Sequence, residues 1–427
     1  MENRVELLKQ TLEARKEEYL SYLKDLIAID TMDLGHGIEG GREKEGQIYL
    51  EKLYKNMGVS RLKKDELREE SIQESMKKHG EGNPGHNYDD RYNLYALFEG
   101  EDKNRSLMFN SHIDTMPPGD ISLWKYPPHA PTEEDGKLYG LGAADMKAGL
   151  MASLMGVKLL QDAKIKLPCN IKICTVCDEE GGGNGSIQAA MSGENADAVI
   201  VCEPTGRELI RAHMGFVFFK VEIKGKANHS GEKHLGISAI DKTIGLIKAL
   251  EKLEEKWASS YRHELLPPPN LNVGTIHGGS AGSTVAGACS FETCIHYIPG
   301  LMSFEQVDQE FREAVNAFAK EDEWLRANPP VITMYQSGGG FEQEEKAQIV
   351  EAFKNSYREC FGSEVKLVGS PAGCDSRIWK NIAKSQVLQY GPGNLEQCHA
   401  VNEYVEIEEY YKSILLYANL ILNWGEK

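Results

Sequence analysis

The chain is 427 residues long and acidic, with 65 Asp and Glu against 48 Lys and Arg, a formal net charge of −17 at pH 7. That length exceeds what one hydrophobic core organises and predicts two domains, while the acidic balance disfavours nonspecific binding to nucleic acid or anionic membrane. No stretch approaches the ~20 apolar residues needed to span a bilayer, and the charged start Met1-Glu2-Asn3-Arg4 lacks the apolar core of a signal peptide, so a soluble, cytoplasmic protein is expected.

Residues 3–28 carry Leu and other apolar residues at helical spacing among Glu, Lys and Arg, which predicts an amphipathic first helix. Residues 63–90 are polar and contain Gly80, Gly82, Pro84 and Gly85. They read as a surface excursion without an assigned role. A strand at 92–98 follows, then a strand at 106–110, the His112 turn, a helix over 146–161, and apolar strands at 171–177 and 198–202 that each end at a carboxylate. Strands alternating with helices predict a mixed, mainly parallel sheet covered on both faces. The nine cysteines are scattered and odd in number, which suits reduced thiols. Cys174 and Cys177 form a C-x-x-C, but their β-branched neighbours assign them to a strand, and no second pair completes a zinc site.

Near residue 213 the rhythm changes to a strand at 216–223, a helix at 237–257, strands at 271–276 and 291–297, a helix at 304–320 and a strand at 331–335. This βαββαβ order is that of a ferredoxin-like unit. The expected architecture is an α/β catalytic domain over 1–212 and 339–427, interrupted by an inserted α+β domain over 213–338. Helices at 342–360 and 406–422 and a strand near 366–368 complete the first domain.

Five residues stand in contexts that suit a metal ligand: His112, Asp145, Glu180, Glu203 and His399. Four of them follow a short apolar run and open into a Gly, Pro or small-residue turn. In that way a strand delivers a polar side chain to the edge of an open α/β sheet, where ligands bind. Two imidazoles and three carboxylates suit zinc, and two ions can share one carboxylate. Asp114, two residues after His112, shares its face on a strand and can reach the imidazole N–H. Glu179 and Glu180 point in different directions on an extended backbone, so one can bind metal while the other faces substrate as a general base. The Gly181 to Ser186 run has no following Gly-Lys-Ser/Thr and reads as a turn into a helix rather than a phosphate loop.

The segments Ser111-His112-Ile113-Asp114-Thr115, Asp135 to Lys147, Asp178-Glu179-Glu180-Gly181-Gly182, Glu203-Pro204-Thr205 and His399-Ala400-Val401-Asn402-Glu403 resemble the di-zinc aminoacylase and carboxypeptidase family. That family includes acetylornithine deacetylase, succinyl-diaminopimelate desuccinylase and carboxypeptidase G, and the similarity spans nearly the whole chain. It implies that His112, Asp145 and Glu203 hold one zinc and that Asp145, Glu180 and His399 hold the other, with Asp145 bridging. Cobalt or manganese can satisfy the same ligands. It further implies Glu179 as general base toward a zinc-bridging water, and Asp114 as the group orienting His112. The insert becomes a lid and dimerisation domain in which His229, within Gly225 to Gly231, reaches the partner's active site, so a homodimer is expected. Arg377, in Ala372-Gly373-Cys374-Asp375-Ser376-Arg377, becomes the candidate anchor for a substrate carboxylate, since a guanidinium binds one bidentately.

The chain departs from many relatives at Leu141 and Ala148 beside the metal block, along Phe291 to His296 where they often carry Asp-x-Arg, and over Gly282 to Ala286 where they usually carry Asn-x-Val-Pro. The expected activity is removal of an acyl group from an N-acyl amino acid or related amine. Cleavage of a short peptide as a dipeptidase or carboxypeptidase is the alternative on the same centre. A metal-stabilised binding protein without catalysis is the third reading, and the presence of Glu179 with all five ligands argues against it.

Overall fold

A computed structural model describes residues 2–426. It divides into two units, one running to Arg211 and resuming over Gln343–Val368 and from Cys374, the other comprising Ala212–Glu342 and Gly369–Gly373.

The first unit is built on a mixed sheet whose centre is parallel. Gln386–Gln389, Ala198–Val201, Asp102–His112 and Cys169–Val176 lie side by side in parallel. Tyr92–Phe98 and then Arg61–Glu66 continue the sheet antiparallel. The parallel order is thus confined to the centre, narrower than the mainly parallel sheet expected from the sequence. Ile171, Ile173, Val176, Val199, Ile200 and Val201 are fully buried, as central strands covered on both faces must be. Ala148–Asp162, Ile407–Gly425 and Glu2–Ile27 pack around one large core, while Ile72, Ile187 and Ile378 form a smaller one. Gly149 seats the start of its helix against the neighbouring strand end, because a Cβ there would come within 1.9 Å of the Cys202 carbonyl oxygen.

The second unit is a four-stranded antiparallel sheet in the order Asn270–Gly278, Ala288–Tyr297, Gly215–Lys224, Val331–Gly338. With the helices Ala239–Ser260 and Phe304–Glu321 it has the ferredoxin-like order. Ser238 and Ser303 start those helices by accepting the N–H of Asp241 and Gln306. Burial alternates along Gly215–Lys224, so the helices cover one face of the sheet, where Phe219 stacks on Phe311 at 4.3 Å.

Three local readings change. The excursion at 63–90 takes in most of the edge strand Arg61–Glu66 and all of the helix Glu69–His79; their charged outer faces hid the short buried stripe that includes Ile72. The helix expected from 146 begins at Ala148, after an irregular turn over Ala143–Lys147 in which Asp145 and Met146 leave helical geometry. The helix expected from 342 begins at Gln348, because Phe341–Glu342 is a short strand. All nine cysteines are free, with Cys174 and Cys177 buried. Among the described residues, no helix is long and apolar enough to cross a membrane.

Candidate metal centre

The carboxyl ends of the parallel strands gather the predicted ligands. His112 is the last residue of Asp102–His112, Glu179 and Glu180 lie in the turn after Cys169–Val176, and Glu203 follows Ala198–Val201. His399 sits on the loop after Gln386–Gln389, and Asp145 on the turn before Ala148–Asp162. A buried apolar strand ending at or just before them puts His112, Glu179, Glu180 and Glu203 on this edge, whereas a turn and a loop bring Asp145 and His399 to it.

The His112 Nδ1–H donates to the Asp114 carbonyl oxygen at 2.9 Å, which turns Nε2 toward the carboxylates. Nε2 lies 3.0 Å from Asp145 Oδ1 and 3.6 Å from Glu203 Oε1. The other Asp145 oxygen, Oδ2, lies 3.5 Å from His399 Nε2, which is 2.9 Å from Glu180 Oε2. Asp145 therefore presents one oxygen to each histidine. His112, Asp145 and Glu180 each place a donor atom within 4.8 Å of the others, and so do His112, Glu179 and Glu203. All five predicted ligands and Glu179 come together.

Burial, then Asp375 and the neighbouring carboxylates Glu203 and Glu180, push the Glu179 carboxyl well above its ordinary range. Burial does the same to Glu203. Burial alone lowers His112, but the surrounding carboxylates, Glu203 first, hold it well above an ordinary imidazole. The hydrogen bond to Glu180 raises His399 to about 9. Carboxylates crowded in a low-dielectric site favour bound cations. Glu180 Oε1, moreover, is buried with no hydrogen-bond partner. Imidazole nitrogens and carboxylate oxygens at these separations fit divalent ions of the zinc type.

The braces around the ligands went largely unread in the sequence. Glu403 accepts the backbone N–H groups of Gly142, Ala144 and Asp145 at 2.7, 2.7 and 3.0 Å, and so shapes the turn that carries Asp145. Its position four residues after His399 was the available signal. Asp114 orients His112 through its backbone oxygen, with its carboxylate 3.7 Å from Nδ1. That carboxylate instead accepts the Glu180 N–H at 3.0 Å.

Arg377, expected as a substrate anchor, lies in the protein interior. Its guanidinium donates to Glu81 at 2.9 Å, the Cys374 carbonyl at 2.7 Å and the Gly182 carbonyl at 2.9 Å. With each of its three nitrogens engaged by the protein interior, the guanidinium presents no open fork to a ligand. His229, in the second unit, is exposed and caps a short turn by accepting the Gly231 N–H at 3.1 Å.

Residues 108–423 match the family described as Peptidase family M20/M25/M40. The chain is 32% identical over 351 residues to an N-formyl-4-amino-5-aminomethyl-2-methylpyrimidine deformylase of Halalkalibacterium halodurans, covering 76% of this chain and 82% of the relative. It is 30% identical over 302 residues to an acetylornithine deacetylase of Aliivibrio salmonicida, covering 70% of this chain and 76% of the relative. The solved structure of the di-peptidase Dug1p from Saccharomyces cerevisiae shares the fold, with a TM-score of 0.76 over 100% of both chains at 13% identity. With imidazoles and carboxylates converging on one sheet edge, the chain belongs to peptidase family M20/M25/M40 and is a metal-dependent hydrolase of C–N amide bonds.

Proposed function

We propose that this chain is a two-metal deacylase that releases a small acyl group, formyl or acetyl, from the nitrogen of a small amine or amino acid. The observation that carries the two-metal reading is Asp145, whose oxygens face His112 and His399 separately. His112, Asp145 and Glu203 would hold one ion, and Asp145, Glu180 and His399 the other, with zinc as the resident metal and cobalt or manganese as substitutes. The relatives named for removal of formyl and acetyl groups support the acyl size.

Bound divalent ions supply Lewis acidity toward the scissile carbonyl and acidify water. Glu179 takes the proton of the attacking water on its carboxylate and passes it to the leaving nitrogen, which departs as an amine. Asp114 keeps His112 Nε2 turned inward, and Glu403 holds the backbone at Asp145. His229 serves the active site of a second copy by stabilising the oxyanion, so the working form is a homodimer. A cytoplasmic location suits its free cysteines.

Elemental analysis after zinc supplementation is expected to find two ions per chain, and a stoichiometry of zero rejects the ligand assignment. A screen of N-formyl, N-acetyl, N-succinyl and N-carbamoyl amines against dipeptides is expected to give the highest kcat/KM for the formyl or acetyl compounds. Preference for dipeptides would instead establish the peptidase reading.

The cross-subunit role has its own test. His229→Ala is expected to fold and bind metal but lose turnover, and mixing it with Glu179→Gln is expected to restore activity. One active site of each mixed dimer then has both groups intact. Mixed dimers as inactive as either parent would exclude the role.

A further inference from the structure

The turn that carries Glu179 and Glu180 continues into Gly181-Gly182-Gly183, and three glycines in succession give a backbone little stiffness of its own. A general base and a metal ligand on such a turn need support from outside it. That support comes largely from the 81–91 segment, part of the polar excursion to which the sequence assigned no role.

Asn83 donates its amide N–H to the Gly181 carbonyl at 2.7 Å. Glu81 pairs with the Arg377 guanidinium at 2.9 Å, and Arg377 donates to the Gly182 carbonyl, also at 2.9 Å. His86 Nδ1 lies 2.8 Å from Asp178 Oδ2, and Arg91 Nη1 lies 3.0 Å from Asp178 Oδ1. Asp178 is the residue immediately before Glu179, and its backbone is left-handed, with φ of 62°. The His86 and Asp178 side chains are almost wholly buried. They fit together because position 37 is glycine: a Cβ there would approach His86 Nδ1 to 2.2 Å and Asp178 Oδ1 to 2.3 Å. The clamp thus holds the turn at Asp178, Gly181 and Gly182, on both sides of the Glu179–Glu180 pair. On the pair itself, Asp114 takes the Glu180 N–H.

Resting on the two-metal reading above, we infer that Glu81, Asn83, His86 and Arg91 are positioning residues. Together with Arg377 they set where Glu179 meets substrate and where Glu180 meets its ion. Displacements of about 1 Å at a reacting group cost on the order of 10²-fold in rate, and partners behind a metal ligand cost about 10–100-fold in affinity or activity when removed.

The test uses His86→Gln and Asn83→Ala in the full chain, the second being a milder change at a partly buried side chain. Zn²⁺ affinity is measured by chelator competition, and kinetics are measured at saturating zinc. One of the two dissociation constants is expected to rise about 10–100-fold while the other moves less than about threefold. At saturating zinc, kcat is expected to fall about 10–100-fold with KM within about threefold. In a Glu179→Gln background the same substitutions are expected to change residual turnover less than about threefold, since they act through Glu179.

Wild-type zinc constants in the folded variants overturn the inference. So does an undiminished loss of turnover in the Glu179→Gln background, which is the mark of a general structural defect. If His86→Gln fails to fold, Asn83→Ala decides. A wild type that binds two zinc ions but hydrolyses nothing in the screen rejects the functional reading, and the zinc titration still decides the clamp.

Discussion

Glu179→Gln is expected to keep both metal ions, the fold and a near-normal KM, while kcat falls by about 10²–10⁴. The amide keeps the size of the side chain but cannot accept the proton of the attacking water. Of the two neighbours it is Glu180 that pairs with His399, at 2.9 Å, while Glu179 groups with His112 and Glu203, so the variant distinguishes a base from a ligand. The Glu179 carboxyl also lies among other carboxylates, and burial raises it above its ordinary range, the direction that suits a proton acceptor near neutral pH. Bound cations oppose that shift, so its final value is a compromise between burial and the ions. The measurement is kcat at saturating zinc alongside elemental analysis of the same sample. Wild-type kcat in a two-zinc sample would remove Glu179 from the mechanism, whereas loss of one zinc would reassign it as a ligand.

The second large effect is at Asp145. Asp145→Ala is expected to empty both metal positions and drop the rate to background, a loss of about 10⁶-fold or more for an enzyme of ordinary power. Glu203→Ala should remove one ion only. The contrast follows from position: Asp145 faces both histidines, while Glu203 lies 3.6 Å from His112 alone of the two. Stability should follow occupancy, because an ion bound only by the folded chain stabilises it by about 4 kcal/mol at a thousand times its dissociation constant. Calorimetry with and without chelator is expected to show a large downward shift of Tm on metal removal in the wild type and almost none in Asp145→Ala. An Asp145→Ala protein that still holds one ion per chain, as Glu203→Ala does, would show that the carboxylate does not bridge.

Much of this centre is legible without coordinates because each ligand is announced locally. The apolar runs before His112, Glu179 and Glu203 are buried parallel strands, and the polar residues that close such a run lie at the sheet edge. The βαββαβ order of the second unit follows from alternation and helical spacing alone. The 63–90 segment was opaque because its helix exposes charged residues on most of its surface, so its apolar stripe is too short to give a period.

The kinds of donor atom, their order along the chain and the strand ends that carry them depend on residues within one strand and its turn, and so are readable from the amino acids. The folded chain sets which groups face one another. It turned one Asp145 oxygen to each histidine and gave the Asp114 carboxylate to the Glu180 backbone. It also folded Arg377 onto Glu81, 296 positions away in the chain, converting an apparent substrate anchor into a support for the Gly182 turn. A guanidinium looks the same in sequence whether it meets a ligand or a buried carboxylate. Which of the two it meets depends on pairings between distant segments that leave no local trace in composition or period.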